Sequence, residues 1–364
     1  MKIIIFIGTR PEAIKLYPLI IELKKEKSFN IKICFTGQHD FLLHKVLKEI
    51  KIKPNFKLNC KSKDANLNLL TSKLYKKIDS VIKNYKPDLS IVQGDTTSSL
   101  VAAITSFHNK IKVAHIEAGL RTYNNQEPFP EEFNRKTISL ISELNFAPTN
   151  NAKKNLLHEK IDKNKIYVTG NTIVDAVKIL KKKYLFKKKD SKKFILVTCH
   201  RRENYRNFDI LLKNLLLVVK KNNLRIVLIT HPGILKYKKN SKNLTKIKKN
   251  KKIKIYSKLS YLETLQLIYN SHFVVSDSGG IQEEVPSFKK FILILRNYTE
   301  RIESINLKIS KLINFNKLSI FKNITYFSKK KNLFSKTIPN PYGDGKAAKR
   351  IVKILLKWSQ KKIS

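Results

Sequence analysis

The stretch FVVSDSGGIQEE, residues 273–284, joins a short apolar segment to a helix-like segment through a Ser-Gly-Gly turn. Val- and Ile-rich runs of this length, followed by helix-like segments, are typical of buried parallel strands. Five other apolar runs also stop at a cluster of polar residues: IIIFIGTRPE (3–12), LSIVQGDTT (89–97), KVAHIEAGLR (112–121), FILVTCHRREN (194–204) and RIVLITHPG (225–233). In open α/β sheets ligands bind beyond the carboxyl ends of the strands, so the six clusters are predicted to converge on one crevice.

Both halves of the chain alternate strand-like and helix-like segments, and 364 residues are too many for one typical core. The pattern predicts an α/β fold of two Rossmann-like, doubly wound domains facing a cleft. We place the N-terminal domain at 1–168 and the C-terminal domain at 169–344, with the boundary near the segment YVTGN (167–171). The last helix, within 345–364, is expected to pack back on the N-terminal domain.

The formal net charge of +48 raises the question of a nucleic-acid partner. The lysines are spread along the chain, and their densest runs, at 181–193, 236–254 and 329–336, lie between the polar clusters. The sequence contains no basic helix interleaved with aromatic residues and no recognised nucleic-acid motif. This distribution indicates lysines on solvated surfaces and argues against nucleic-acid binding. The positive charge could still attract anionic substrates over a distance.

The composition also bears on where the protein works. No apolar stretch approaches the roughly 20 residues that span a bilayer, so we predict no membrane partner. The apolar run 3–7 is followed at once by GTRPE, which is not the pattern of a signal peptide. Cys34, Cys60 and Cys199 lack metal-ligand spacing and are typical of reduced thiols. We therefore expect a cytoplasmic protein without a bound metal.

The segment 277–284 is the sharpest local signal for a ligand. Its Ser278-Gly279-Gly280 turn lets the backbone approach closely, and free N–H groups and the dipole of the following helix would favour a phosphate. Glu284 lies about one turn later, where a carboxylate could accept hydrogen bonds from ribose hydroxyls. The alternative is an ordinary strand-to-helix turn whose acidic residues only complement the helix dipole.

Cations near two other strand ends are candidate anion contacts. Arg10 and Lys15 flank the start of a helix and could reach a diphosphate, although they could equally be surface cations. Arg301 follows the last predicted core strand and is a further candidate.

Three carboxylates and one histidine could move protons. Asp95 and Glu117 each end an apolar run, and Glu131 follows Pro128-Phe129-Pro130. A carboxylate in a water-poor crevice can have a raised pKa and act as an acid or a base. The structural alternatives are helix capping for Asp95 and first-turn stabilisation for Glu131. His200 ends another run beside two arginines. Serine-hydrolase elbows, Walker loops and zinc-protease motifs are absent from the sequence.

A series of motifs in fixed order resembles that of bacterial non-hydrolysing UDP-N-acetylglucosamine 2-epimerases. The series runs from residue 3 to about 352 and comprises GTRPEAIKL, TGQHD, VQGDTTSS, HIEAGLRT, PFPEEFNR, APT, VTGNTIVDAV, HRREN, DSGGIQEE, TERIE and NPYGDGKAAKRI. The resemblance implies a glycosyltransferase-B-like fold with its active site between the domains. It also implies conversion of UDP-GlcNAc to UDP-ManNAc in polysaccharide synthesis, with no metal or nicotinamide cofactor, by a homodimer.

The resemblance assigns roles to the candidate residues. It implies elimination of UDP across C1–C2 to a 2-acetamidoglucal, followed by re-addition of UDP with protonation on the other face. The implied acid–base and catalytic residues are Asp95, Glu117, Glu131 and His200. The implied UDP contacts, mostly in the C-terminal domain, are Arg10, Lys15, Ser278, Gly279, Gly280, Glu284 and Arg301.

Many members of the family carry a second, regulatory UDP-GlcNAc site. Gln38 and His231 match the residue types at that site. Phe41 stands where a Gln is common, and Asp64 stands where an Arg is common. An Asp would repel a diphosphate, so we expect allosteric activation to be weak or lost.

Four other functions stay open at this point. A hydrolysing epimerase would release free ManNAc, and the Arg-Pro-Glu form of the opening motif argues against it. An epimerase of a related UDP-sugar or a glycosyltransferase of the same fold is also compatible with the motifs. A basic nucleic-acid-binding protein would show salt-sensitive binding to random DNA and no turnover.

Overall fold

A computed structural model describes residues 1–37, 41–60, 66–184, 186, 193–335 and 337–360, apart from the side chains of residues 41, 42, 44, 45, 202, 203 and 317. The chain forms two compact units. The N-terminal unit comprises Met1–Ile179 with Tyr342–Ser364, and the C-terminal unit comprises Leu180–Pro341.

The N-terminal unit contains a parallel sheet of seven strands with the order β3-β2-β1-β4-β5-β6-β7. The strands are β1 (Lys2–Ile7), β2 (Asn30–Phe35), β3 (Phe56–Lys57), β4 (Leu89–Gln93), β5 (Lys112–Ile116), β6 (Leu144–Ala147) and β7 (Ile166–Val168). The helices are α1 (Arg10–Leu23), α2 (Phe41–Ile50), α3 (Leu67–Tyr85), α4 (Thr97–His108), α5 (Glu131–Ile141), α6 (Asn150–His158) and α7 (Thr172–Tyr184), which runs on past Ile179.

The C-terminal unit contains a parallel sheet of six strands with the order β10-β9-β8-β11-β12-β13. The strands are β8 (Phe194–Cys199), β9 (Arg225–Thr230), β10 (Ile253–Tyr256), β11 (Val274–Ser276), β12 (Ile292–Leu295) and β13 (Ser310–Ile313). The helices are α8 (Phe208–Asn222), α9 (Pro232–Tyr237), α10 (Lys242–Lys249), α11 (Tyr261–Asn270), α12 (Gly279–Glu284), α13 (Glu303–Asn306) and α14 (Lys317–Ser328). The final helix, α15 (Ala347–Gln360), belongs to the N-terminal unit and contacts α1.

The apolar runs form the central strands because helices cover both faces of each sheet. Ile4 and Phe6 of β1 lie in one core with Val92 of β4 and residues of α3 and α4. In the C-terminal unit, Val197 of β8 and Val275 of β11 lie in a second core with residues of α8 and α14. The predicted α/β fold of two Rossmann-like units is confirmed.

The division between the units falls after Ile179, whereas the sequence placed the domain boundary after residue 168. The start of α7 stays with the N-terminal unit because it bonds to the chain leading into α15. The backbone N–H of Asn171 donates to the carbonyl of Tyr342 at 2.8 Å. The carboxylate of Asp175 accepts the N–H groups of Ala347 and Ala348 at 3.2 and 3.0 Å.

Candidate functional site

The ends of β4 and β5 bring two of the predicted carboxylates to one edge of the N-terminal sheet. The strands pair in parallel, with Gln93 opposite Ile116, so Asp95 and Glu117 both follow the carboxyl ends of neighbouring strands. Gly94 has a φ of +70° and Glu117 a φ of +69°, both in the left-handed region. The turn after each strand is therefore tight, and each carboxylate is carried immediately beyond the sheet.

Glu117 is surrounded by donors from three different segments. The ammonium of Lys15, on α1, pairs with Oε1. The amide of Asn171 donates to the same oxygen at 3.0 Å, and the amide of Gln93 donates to Oε2 at 2.5 Å. The side chains of Lys15 and Glu117 are only 7% and 8% exposed. This arrangement is a buried carboxylate held by one cation and two neutral amides.

Asp95 is held by α5. Its carboxylate forms an ion pair with the guanidinium of Arg135, and its backbone carbonyl accepts the amide of Asn134 at 2.8 Å. The Asp95 side chain is 27% exposed, so it also reaches solvent. Helix α5 begins at Glu131, which is partly buried and which follows Pro130. The first two turns of α5 therefore carry the predicted carboxylate Glu131, and they also hold the predicted carboxylate Asp95.

Glu12 is a buried carboxyl that the sequence reasoning did not assign. It accepts the N–H groups of Gly8 and Thr9 and the hydroxyls of Thr96 and Ser99. Burial raises the pKa of Glu12 to about 7, although these four hydrogen bonds lower it. The sequence does contain a signal for Glu12, because Thr9 and Glu12, three residues apart, form a capping box at the start of α1. Glu12 links the turn before α1 to the turn that carries Asp95.

His115, the fourth residue of β5, is a second buried group that the sequence reasoning did not assign. Its Nε2 lies 2.8 Å from the carbonyl oxygen of Gly94, which can only accept, so Nε2 carries the proton. Nδ1 then accepts from the hydroxyl of Ser139 at 3.2 Å. Burial lowers the pKa of His115 to about 3. A neutral His115 therefore fixes the backbone between Gln93 and Asp95.

The C-terminal unit carries its own cluster around Asp277, which is fully buried. The carboxylate accepts the backbone N–H groups of His200 and Arg201 at 3.0 Å and the amide of Asn204 at 2.9 Å. These bonds join the end of β8 to the end of β11 and fix the backbone of the predicted catalytic residue His200. Asp277 belongs to a motif of the sequence analysis, but its role emerges only from these contacts.

The Ser278-Gly279-Gly280 turn is partly committed to the protein itself. The N–H of Ser278 donates to the hydroxyl of Ser276 at 3.0 Å. Arg301 lies directly over Gly279, where an added Cβ would come within 2.8 Å of the guanidinium. The expectation of free N–H groups along this turn therefore does not hold for Ser278. A side chain at position 279 would have to displace the guanidinium of Arg301.

Arg301 is buried among acidic side chains. Its guanidinium forms ion pairs with Glu283 and Glu300, and Glu300 also binds Arg296 at 3.0 Å. Glu284, the predicted ribose contact, is the last residue of α12 and is 6% exposed. The predicted anion contacts of this unit are thus embedded in a network of charges.

The remaining candidates are placed as follows. Arg10 is the first residue of α1 and is partly buried. His231 is exposed and caps α9, with Nδ1 accepting the N–H of Gly233 at 3.1 Å. Gln38 and Asp64 lie outside the described residues, as does the side chain of Phe41.

Within the described part of the chain, no group of three or more His, Cys, Asp or Glu side chains is arranged to hold a metal ion. No helix found there is both long and apolar enough to cross a membrane.

Residues 21–356 match the family described as UDP-N-acetylglucosamine 2-epimerase. A protein of that name from Neisseria meningitidis serogroup A is 38% identical over 375 residues, covering 98% of this chain and 100% of the relative. A protein of the same name from Escherichia coli is 33% identical, with 98% of each chain covered.

Solved structures agree with this match. The crystal structure of UDP-GlcNAc 2-epimerase from N. meningitidis bound to UDP-GlcNAc has a TM-score of 0.90 at 37% identity and covers 98% of this chain and 100% of that one. The enzyme from Methanocaldococcus jannaschii, in complex with UDP-GlcNAc and UDP, has a TM-score of 0.87 at 37% identity with the same coverage.

Proposed function

Because the chain belongs to the UDP-N-acetylglucosamine 2-epimerase family, we propose that it interconverts UDP-GlcNAc and its C2 epimer, UDP-ManNAc. The observation that carries this proposal is the buried Glu117 beside the end of β4, with Asp95 on the neighbouring turn. Two carboxylates at one sheet edge suit a reaction that removes and returns a proton.

The chemistry requires a leaving group because C2 of the sugar has no adjacent carbonyl to stabilise a carbanion. In the forward step a base takes the proton from C2, and the C–H electron pair forms the C1=C2 double bond. The C1–O bond breaks at the same time, and its electron pair leaves with UDP. Re-addition of UDP at C1 and protonation of C2 from the opposite face gives the epimer, so no oxidant or reductant is consumed.

We assign the proton transfers to Asp95, Glu117 and Glu131, with His200 as a further catalytic group. Glu117 is supported by its burial and its three donors, and Asp95 by its anchoring to Arg135. Fixed geometry supports a catalytic role because misplacement of a reacting group by about 1 Å can cost about 10²-fold in rate.

We assign UDP binding to cations and to the α12 turn. Arg301 and the N–H groups of Gly279 and Gly280 are suited to phosphate oxygens, and Glu284 to ribose hydroxyls. Arg10 at the start of α1 is a further phosphate contact in this proposal. Lys15 and Ser278 complete the assigned set, although Lys15 also pairs with Glu117 and the Ser278 N–H binds Ser276.

NMR of UDP-GlcNAc incubated with the enzyme in heavy water tests the proposal. We expect the C2 epimer to form and deuterium to replace protium at C2, because the proton is lost and regained at that carbon. Retention of protium at C2 during turnover would contradict the elimination route. Accumulation of free ManNAc would instead indicate a hydrolysing enzyme. A boiled sample gives the background exchange.

We also propose that the enzyme is a homodimer. Phe133 and Leu140 lie seven residues apart on α5 and are 56% and 71% exposed, and Phe107 on the adjacent α4 is 54% exposed. Exposed apolar side chains on one helix face suit an interface between two copies. Light scattering after gel filtration should give twice the mass of 42.3 kDa, and Leu140→Glu should shift it towards the monomer.

We place the enzyme in the cytoplasm, where it would supply a nucleotide sugar for polysaccharide synthesis. The three cysteines support this location, because all of them are buried free thiols. Fractionation of cells that produce the protein would test the assignment, and recovery of the activity outside the cytoplasmic fraction would contradict it.

A further inference from the structure

Two buried amides contact Glu117 from opposite sides of its carboxylate. Gln93 is 2% exposed and donates to Oε2 at 2.5 Å. Asn171 is 3% exposed and donates to Oε1 at 3.0 Å. The two residues come from different parts of the N-terminal unit, the end of β4 and the segment before α7. Both oxygens of one carboxylate are therefore directed by neutral donors.

Further bonds hold Asn171 in place, and strand pairing holds the backbone of Gln93. The Oδ1 atom of Asn171 accepts the N–H of Ile173 at 3.1 Å, so its Nδ2 must face Glu117. The backbone of Asn171 is tied to the carbonyl of Tyr342 at 2.8 Å. Gln93 is the last residue of β4, and pairing of its backbone with β5 fixes the point from which its side chain extends. The Asn171 amide cannot turn away from Glu117 without losing its bond to Ile173.

The groups around the carboxylate of Glu117 differ in how strongly they direct it. Gly94 beside it has no side chain, and a Cβ built there would lie at an ordinary contact distance of 3.6 Å from Oε2. Lys15 balances the negative charge, but an ammonium at the end of a flexible chain is a point charge with little directional preference. The planar amides supply the direction that Lys15 does not.

We propose that Gln93 and Asn171 are positioning residues that hold the Glu117 carboxylate in its reactive orientation. This inference rests on the proposed function, in which Glu117 transfers a proton at C2. The amides are neutral, so they add orientation without adding a second cation beside the base. Their loss affects the transition state more than substrate binding, because the UDP moiety is assigned to other residues.

The test compares variants of matched shape. Gln93→Met keeps the length of the side chain and removes the donor, whereas Gln93→His places an Nε2–H donor near the original amide nitrogen. Asn171→Asp keeps the acceptor for Ile173 and replaces the donor by an oxygen. The control is Asn155→Asp, which removes an amide that donates to the carbonyl of Gly119 at 2.9 Å and does not touch Glu117.

We expect Gln93→Met and Asn171→Asp to lower kcat by about 10- to 100-fold, with KM and the Kd of UDP changed by less than about 3-fold. Gln93→His should recover most of the kcat lost in Gln93→Met. Asn155→Asp should keep kcat within about 3-fold of the original. Thermal unfolding of each variant identifies any that fail to fold, and Asn171→Asp then tests the proposal independently of position 93.

The inference is overturned if folded Gln93→Met and Asn171→Asp keep full kcat. It is also overturned if Gln93→His is as slow as Gln93→Met, or if UDP affinity falls in parallel with kcat. Failure of the proposed function has a different signature, because the unaltered enzyme itself would then put no deuterium into C2 of UDP-GlcNAc.

Discussion

The ammonium of Lys15 pairs with Oε1 of Glu117 inside the N-terminal unit, and both side chains are almost fully buried. The motif resemblance assigns Lys15 to the diphosphate of UDP, whereas the structure gives it a carboxylate partner at the end of β5. Removing one partner of a buried pair leaves the other charge uncompensated, which typically costs about 3–5 kcal/mol. The pair therefore links the stability of this unit to the state of its candidate base.

Lys15→Met should lower kcat by at least ~10²-fold, because Glu117 loses the cation that balances its charge. The Kd of UDP should rise as well, because Lys15 is also one of the assigned UDP contacts. Steady-state kinetics and calorimetry of UDP binding measure the two effects. A tenfold loss of UDP affinity with nearly unchanged kcat would show that Lys15 serves the diphosphate alone and does not support Glu117. Asn155→Asp again serves as the control.

Asp95→Asn, Glu117→Gln and Glu131→Gln should each lower kcat by at least ~10²-fold, the usual scale for loss of a general acid or base. UDP binding should survive in all three, because these groups are assigned to the sugar. Deuterium exchange into unreacted UDP-GlcNAc shows whether proton removal or a later step is impaired. Near-full turnover of Glu117→Gln would exclude the role proposed for it.

Glu12→Gln should change how stability depends on pH. The pKa of Glu12 rises from 4.5 in the unfolded chain to about 7 in the folded protein, so between these values only the folded state keeps the proton. Stability therefore falls as pH rises through this window, by up to about 3 kcal/mol. The neutral variant mimics protonated Glu12. Its free energy of unfolding should therefore increase relative to that of the original protein as the pH rises from 4.5 to 7.

Urea unfolding of both proteins at a series of pH values measures this difference. His115 acts in the opposite sense, because its pKa is lowered to about 3 and its contribution is lost as pH falls below about 6.5. It is present in both proteins, so the difference between their curves isolates Glu12. Parallel curves across pH 4.5 to 7 would show that Glu12 ionises normally in the folded state.

The strands that carry the site were predictable because they are continuous Val- and Ile-rich runs that end at polar residues. Strand β10 and helix α14 were missed, since IKIY lies in a lysine-rich stretch and KLSIFKNITYFS mixes β-branched and polar residues without a clear period. The partners of Glu117 were also missed. Gln93 and Asn171 lie 24 and 54 residues from it in sequence, and only the folding of the N-terminal unit brings them together.

The residues at positions 41 and 64 bear on regulation by a second nucleotide sugar. Phe41 cannot supply the amide hydrogen bonds of the Gln common there, and Asp64 places a negative charge where a cation is common, so a second nucleotide sugar should bind poorly. We expect a hyperbolic forward curve with UDP-GlcNAc and slow but measurable turnover of UDP-ManNAc alone. His231 already caps α9, so His231→Ala should cost about 1 kcal/mol of stability and leave the curve hyperbolic. Initial-rate curves in both directions test this. A sigmoidal forward curve, with a reverse reaction that requires added UDP-GlcNAc, would show that the second site works despite Phe41 and Asp64.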